Sequence, residues 1–210
     1  MSLSEKWLKI YIVTSDEYLD IKKIEEILYQ SKEGGATCFQ YRAKKKNAKI
    51  MYEESLIIKK ITKYLNLPFI VNDRIDIAQA VNADGVHIGQ EDLPPKVARK
   101  ILGNTKTIGF STHNLQQVES INKDNCIDYI SFGPIFETKS KTYPPTGLEM
   151  LKEAVKISKY PVVAIGGINE KNAKEVIRTG CSGIAAISFF FSFDNIKLPC
   201  QIISNLWEES

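Results

Sequence analysis

At 210 residues the chain has enough length for one domain with a substantial core, at the short end for an eight-unit barrel. Lys and Arg outnumber Asp and Glu by only 28 to 25, a net charge of +3 that excludes the strongly basic character of nucleic-acid or membrane-surface binders and suits an enzyme. The four cysteines, Cys38, Cys126, Cys181 and Cys200, form no C-x-x-C pair, so buried free thiols are expected rather than a disulfide or zinc framework.

Short apolar runs alternate with helical periodicity from end to end. Strands are expected near 8–14, 36–41, 68–72, 84–88, 106–110, 127–132, 161–165 and 182–187. Between the first two, Ile21, Ile24, Ile27 and Leu28 recur on one helix face, and Ile50, Ile57, Ile58, Ile61 and Leu65 repeat the pattern after the second. Near the seventh, Asn169 reads as the N-cap of a helix ending near Arg178, with Gly180 as its stop. Three segments beginning Asn82, Asn125 and Gly180 echo one another, each joining a helix end to a strand start. About 26 residues per strand–helix unit, taken eight times, accounts for the chain as an α/β protein of (β/α)8 TIM-barrel type. A doubly wound open sheet uses the same alternation but ordinarily has a glycine-rich turn after its first strand, where this chain reads Val13-Thr14-Ser15-Asp16-Glu17. With no linker or shift of composition, residues 1–210 are expected to form one domain. Residues 1–6 hold no apolar export core and no segment approaches membrane-spanning length, so a cytoplasmic protein is expected.

Polar residues cluster where these runs end, which in a closed barrel is a single face. Gln40, Arg42 and Lys44 follow the second strand: an amide for a heterocycle or phosphate, then two cations spaced to point the same way. Lys45 and Lys46 read as a solvated continuation. Asp73 ends the third strand and Asp92 lies just past the fourth, so two carboxylates on neighbouring loops can converge on a hard cation such as Mg2+. Ser111 at the fifth strand end reads as a ligand contact, and His113 as shaping the loop before Asn114. His87, within a strand, points either into the barrel or out to the helices. Thr138, Ser140 and Lys141 lie on a loop long enough to close over a pyrophosphate. Gly166-Gly167 and Ile187-Ser188 end the last two strands, where barrels often bind phosphate through backbone N–H groups. No Ser-His-Asp or Cys-His order stands out for nucleophilic hydrolysis.

In order along residues 8–190 stand Gln40-Tyr41-Arg42-Ala43-Lys44, Val71-Asn72-Asp73-Arg74, Gly85-Val86-His87-Ile88-Gly89-Gln90-Glu91-Asp92, Ser111-Thr112-His113-Asn114, Gly133-Pro134-Ile135-Phe136 and Ile165-Gly166-Gly167-Ile168. By this ordered set the chain resembles the thiamine-phosphate synthases. The resemblance implies a Mg2+-dependent transferase joining two phosphorylated heterocycles, a pyrimidine diphosphate and a thiazole phosphate. It places Mg2+ on Asp73 and Asp92 and the pyrimidine diphosphate on Gln40, Tyr41, Arg42, Ala43, Lys44, Asn72, Ser111 and Lys141. Thr138, Lys139, Ser140, Gly167, Ile187 and Ser188 fall to the thiazole phosphate, and Arg42 and Lys141 become the catalytic cations. Two departures stand out: Ala43 replaces a usual Glu, and Glu137 a usual Pro. The related thiazole tautomerase is the nearest alternative, but its working histidine falls where this chain has Pro134. A non-catalytic pathway binding protein would have no use for Arg42, Asp73, Asp92 and Lys141 together. Small phosphorylated heterocycles are the expected partners, with neither nucleic acid nor membrane, and spare apolar positions on the outer helices are compatible with a homodimer.

Overall fold

The computed structural model of the chain describes residues 5–138 and 143–209. Among the described residues, eight parallel strands follow one another around a closed barrel in chain order. They are Ile10–Val13 (β1), Cys38–Tyr41 (β2), Phe69–Asn72 (β3), Gly85–Ile88 (β4), Thr107–Thr112 (β5), Tyr129–Phe132 (β6), Val162–Ile165 (β7) and Gly183–Ala186 (β8). Pairing of Tyr11 with Ala185 closes β8 onto β1, which excludes the open doubly wound sheet and its two free edges. The helices are Ile24–Glu33 (α1), Ala48–Tyr64 (α2), Ile75–Ala80 (α3), Pro95–Leu102 (α4), Leu115–Ile121 (α5), Gly147–Ile157 (α6), Ala173–Ile177 (α7), Ser188–Phe191 (α8) and Lys197–Glu208 (α9). None of them is long and apolar enough to cross a membrane.

The strands read as unbroken apolar runs because both of their faces are covered. Alternate side chains point in and out, giving two cores. Tyr11, Val13, Cys38, Ile70, Tyr129, Val163 and Ala185 pack inside the barrel. Phe39, Tyr41, Phe69, Val71, Val86, Ile108, Ile130 and Phe132 pack outward beneath the helices.

The segment echo has a physical cause. Asp84 Oδ2 accepts from the Phe69 N–H (2.9 Å) and Lys59 Nζ (2.8 Å), while Asp128 Oδ2 accepts from the Ile108 N–H (2.7 Å) and an Arg99 guanidinium N–H (2.6 Å). Each acid thus pins the foot of the preceding strand. Ser182 enters the same position with its main chain, donating to the Val162 carbonyl.

Two helix expectations are corrected. On α2 the buried stripe is Met51, Glu54, Ser55, Ile58 and Thr62, while Ile50 and Ile57 are exposed. Residues 50 and 57 share a face rotated about 100° from that of 51 and 58. The N-cap of α7 is Asn172, not Asn169; Asn169 instead shapes the preceding turn by accepting from the Lys171 N–H at 2.9 Å. Gly180, at φ +83°, does end that region.

Candidate active site

The parity of β2 sorts its residues. Gln40 and Arg42 face the barrel interior and line its central cavity. Tyr41 and Ala43, also expected at the substrate, turn the other way into the helix-side core. The Tyr41 hydroxyl donates to Glu54 Oε2 at 2.5 Å, which commits that side chain to packing against α2. Their side chains are therefore removed from the candidate site, because successive residues of a strand point to opposite faces.

Inside the barrel, residues far apart in sequence build one polar chain. The Gln40 amide donates to Tyr11 Oη at 2.8 Å, and Tyr11 Oη lies 2.7 Å from Tyr129 Oη. Tyr129 Oη lies 2.9 Å from His87 Nδ1, and His87 Nε2 lies 2.9 Å from Ser111 Oγ. Ser131 Oγ approaches the same His87 nitrogen at 3.3 Å. Burial lifts both phenols well above their ordinary value of 10.0, so Tyr11 and Tyr129 keep their protons at neutral pH. His87 thus points inward. Ser111 belongs to β5 itself, and its carbonyl accepts from Gln90 Nε2 at 2.5 Å. Asn72, also buried, completes this side of the cavity.

At the rim the acids meet a cation. Asp73 has left-handed backbone (φ +61°), its N–H donates to the His87 carbonyl at 2.8 Å, and its carboxylate takes the Lys44 ammonium. Asp92 Oδ2 accepts from the Gly89 N–H at 2.6 Å. Burial raises the Asp92 carboxyl above its ordinary value; the Gly89 bond opposes this, and the charge of neighbouring Asp73 raises it further. Two hard carboxylates on neighbouring rim loops, each feeling the other's charge, form a donor set that suits a divalent cation. Among the described residues no cluster of three or more metal-ligating side chains exists. Asp73 and Asp92 are donors of the kind that Mg2+ takes, one or two carboxylates with the remaining positions filled by water and phosphate oxygens.

A cavity of about 70 Å³ lies at the heart of the barrel mouth, walled by Gln40, Arg42, Asn72, His87 and Ser111 on one side and Gly166, Gly167, Ile187 and Ser188 on the other. A broad cleft of about 1190 Å³ adjoins it and shares Arg42, Thr138, Gly167, Ile168 and Ser188 in its walls. Lys44, Asp16 and the exposed Glu137 also line the cleft. Asp73 and Asp92 stand outside both walls and connect to the cleft through Lys44. Lys139, Ser140 and Lys141 lie outside the described residues. The glycine pair has a structural reason of its own: a Cβ on Gly167 would fall 2.6 Å from the Glu137 carbonyl oxygen. His113 shapes its loop as expected, donating from Nδ1 to the Gly133 carbonyl at 2.6 Å. Tyr11, Tyr129 and Ser131 are the site residues that the sequence reading missed; their inward parity, shared with His87 and Ser111 on paired strands, was the available signal.

A family model described as thiamine monophosphate synthase matches residues 10–190. The chain belongs to the thiamine monophosphate synthase family. It is 50% identical over 202 residues to thiamine-phosphate synthase of Persephonella marina, covering 96% of each chain. Thiamine-phosphate synthase 1 of Aquifex aeolicus is 42% identical, over 97% of this chain and 94% of that one. Among solved structures, thiamine phosphate pyrophosphorylase from Pyrococcus furiosus superposes with a TM-score of 0.88 at 35% identity and 98% coverage of both chains. Membership makes the chain an enzyme that acts on small phosphorylated substrates, and it sets the rim and cavity described above in the context of a synthase.

Proposed function

We propose that this chain joins hydroxymethylpyrimidine diphosphate to the thiazole phosphate, forming thiamine monophosphate and releasing pyrophosphate. The observation that carries the reading is that Arg42 lines both a polar cavity and the cleft beside it, where Lys44 stands paired with Asp73. That is the charge pattern needed to hold a diphosphate beside an uncharged heterocycle.

The chemistry asks little of the protein in proton transfer. The attacking thiazole nitrogen bears no proton, so no general base is required. What the reaction needs is stabilisation of charge on the departing pyrophosphate. The Arg42 guanidinium suits bidentate contact with phosphate oxygens, and Lys44 adds a point charge from the adjacent rim. Asp73 and Asp92 would hold Mg2+, which would supply further positive charge to the leaving group. The fixed dipoles of Gln40, His87 and Ser111 orient the pyrimidine, whose amino group donates electrons to the methylene as the C–O bond breaks. On the facing wall, Thr138, Gly167, Ile187 and Ser188 receive the thiazole phosphate.

The test is production of thiamine monophosphate and pyrophosphate from the two purified substrates, with Mg2+ and with EDTA. Equimolar, metal-dependent formation of both is expected. Folded protein that makes neither product in Mg2+ would refute the reading.

A further inference from the structure

The loop joining β2 to α2 carries Arg42 and Lys44, and its main chain is gripped from outside. Thr14 Oγ1 accepts from the Arg42 N–H at 2.8 Å and donates back to the Arg42 carbonyl at 3.3 Å. Asp16, on the loop after β1, accepts through Oδ2 from the Lys44 N–H (2.8 Å) and the Lys45 N–H (3.2 Å). Lys46 is no solvated lysine: its ammonium lies 2.7 Å from both oxygens of Glu54, the acid already bonded to Tyr41. Asn47 then caps α2 through the Ile50 N–H at 3.0 Å.

Asp16 differs from these other anchors. Alone among them it lines the same cleft as Arg42 and Lys44. Its second oxygen, Oδ1, is buried with no hydrogen-bond partner among the described residues. A carboxylate with one oxygen buried and unsatisfied is a poor stabilising device, since that oxygen forfeits its hydration. The satisfied oxygen makes two charge-assisted bonds to consecutive N–H groups, and these fix a short stretch of chain firmly. The Lys44 side chain is half exposed (53%), so its aim depends on where its backbone is held.

We propose that Asp16 is a positioning residue for the diphosphate subsite, fixing the backbone from which Lys44 reaches over Asp73. This rests on the reading of Lys44 as a diphosphate ligand. Its effect is preorganisation: the loop backbone is already fixed before the diphosphate binds.

The experiment compares D16A, D16N and K44A by steady-state kinetics, varying each substrate in turn, alongside their melting temperatures. D16A is expected to raise KM for the pyrimidine diphosphate about tenfold and that for the thiazole phosphate less than about twofold. D16N is expected to recover most of the loss, because its amide oxygen still accepts both N–H groups and its NH2 replaces the orphan oxygen. K44A defective and D16A normal would overturn the positioning role alone. K44A without effect on the pyrimidine diphosphate KM would overturn the Lys44 reading and the positioning role with it. D16A raising both KM values alike, with no recovery in D16N, would reduce Asp16 to a structural residue.

Discussion

His87 Nδ1 and Tyr129 Oη stand 2.9 Å apart inside the barrel, in a space that exists because Gly109 separates their strands without a side chain. A Cβ at residue 109 would fall 2.2 Å from Tyr129 Cζ and 2.4 Å from His87 Nδ1. Both rings are rooted in β-strands and enclosed, so neither can swing aside. Gly109→Ala is therefore expected to cost about 1–3 kcal/mol through overpacking. Urea unfolding measures this directly; a variant as stable as the parent would show that the His87–Tyr129 pair has more room than the distances allow.

Asp73→Ala and Asp92→Ala test the metal pair. Each removes a carboxylate from a polar rim, so kcat/KM should fall by about a hundredfold or more at fixed Mg2+ while melting temperature changes little. Asp92→Ala frees the Gly89 N–H, and some of its loss is accordingly structural. Titrating Mg2+ against activity separates the two effects, since excess metal partly restores a weakened site. Parallel losses of melting temperature and activity in Asp73→Ala would argue against a role in metal binding.

The barrel's phenols predict an alkaline limit to stability. Burial holds Tyr11 and Tyr129 well above their ordinary value of 10.0, and burial together with the Glu54 bond does the same for Tyr41. In the unfolded chain these phenols ionise near pH 10, while in the folded chain they keep their protons. Their contribution is thus fully present below about pH 10 and is lost as pH rises beyond it, by up to roughly 1.4 kcal/mol per pH unit for each phenol. Denaturation free energies at pH 9 and pH 11 should fall less steeply in Tyr129→Phe than in the parent. Equal slopes would mean that Tyr129 ionises in the folded state.

The thiols should divide by burial. Cys38, Cys181 and Cys200 are enclosed, and desolvation pushes Cys181 up to about 11 and Cys200 up to about 12. Cys126 is partly accessible. At pH 8 a thiol reagent should label Cys126 first and the other three only on unfolding, as peptide mapping would reveal. Rapid labelling of Cys200 in the native protein would contradict its burial on the inner face of α9.

Much of this molecule is legible without coordinates. The closed barrel follows from apolar runs alternating with helical periodicity, because strands buried on both faces need helices outside and a filled interior. Strand positions agree to within a few residues, and Gln40, Arg42, Asn72 and Ser111 are found together at one cavity because strand carboxyl ends share one face. The errors share a cause. In a run that is apolar throughout, nothing local says which residues point inward, and that ambiguity admitted Tyr41 and Ala43 to the site and left His87 undecided. Lys46 looked solvated because its partner, Glu54, lies eight residues on, within α2, too far along the chain for a local charge pattern to show it.

The order of elements, the placement of polar residues at strand ends and the family motifs are properties of the sequence by itself. The tertiary structure decided the parity of each strand about the barrel axis, the Tyr11–Tyr129 contact across 118 residues, and the reach of Asp16 to the backbone of Lys44. These depend on barrel closure, which brings together side chains whose separation along the chain carries no periodic signal.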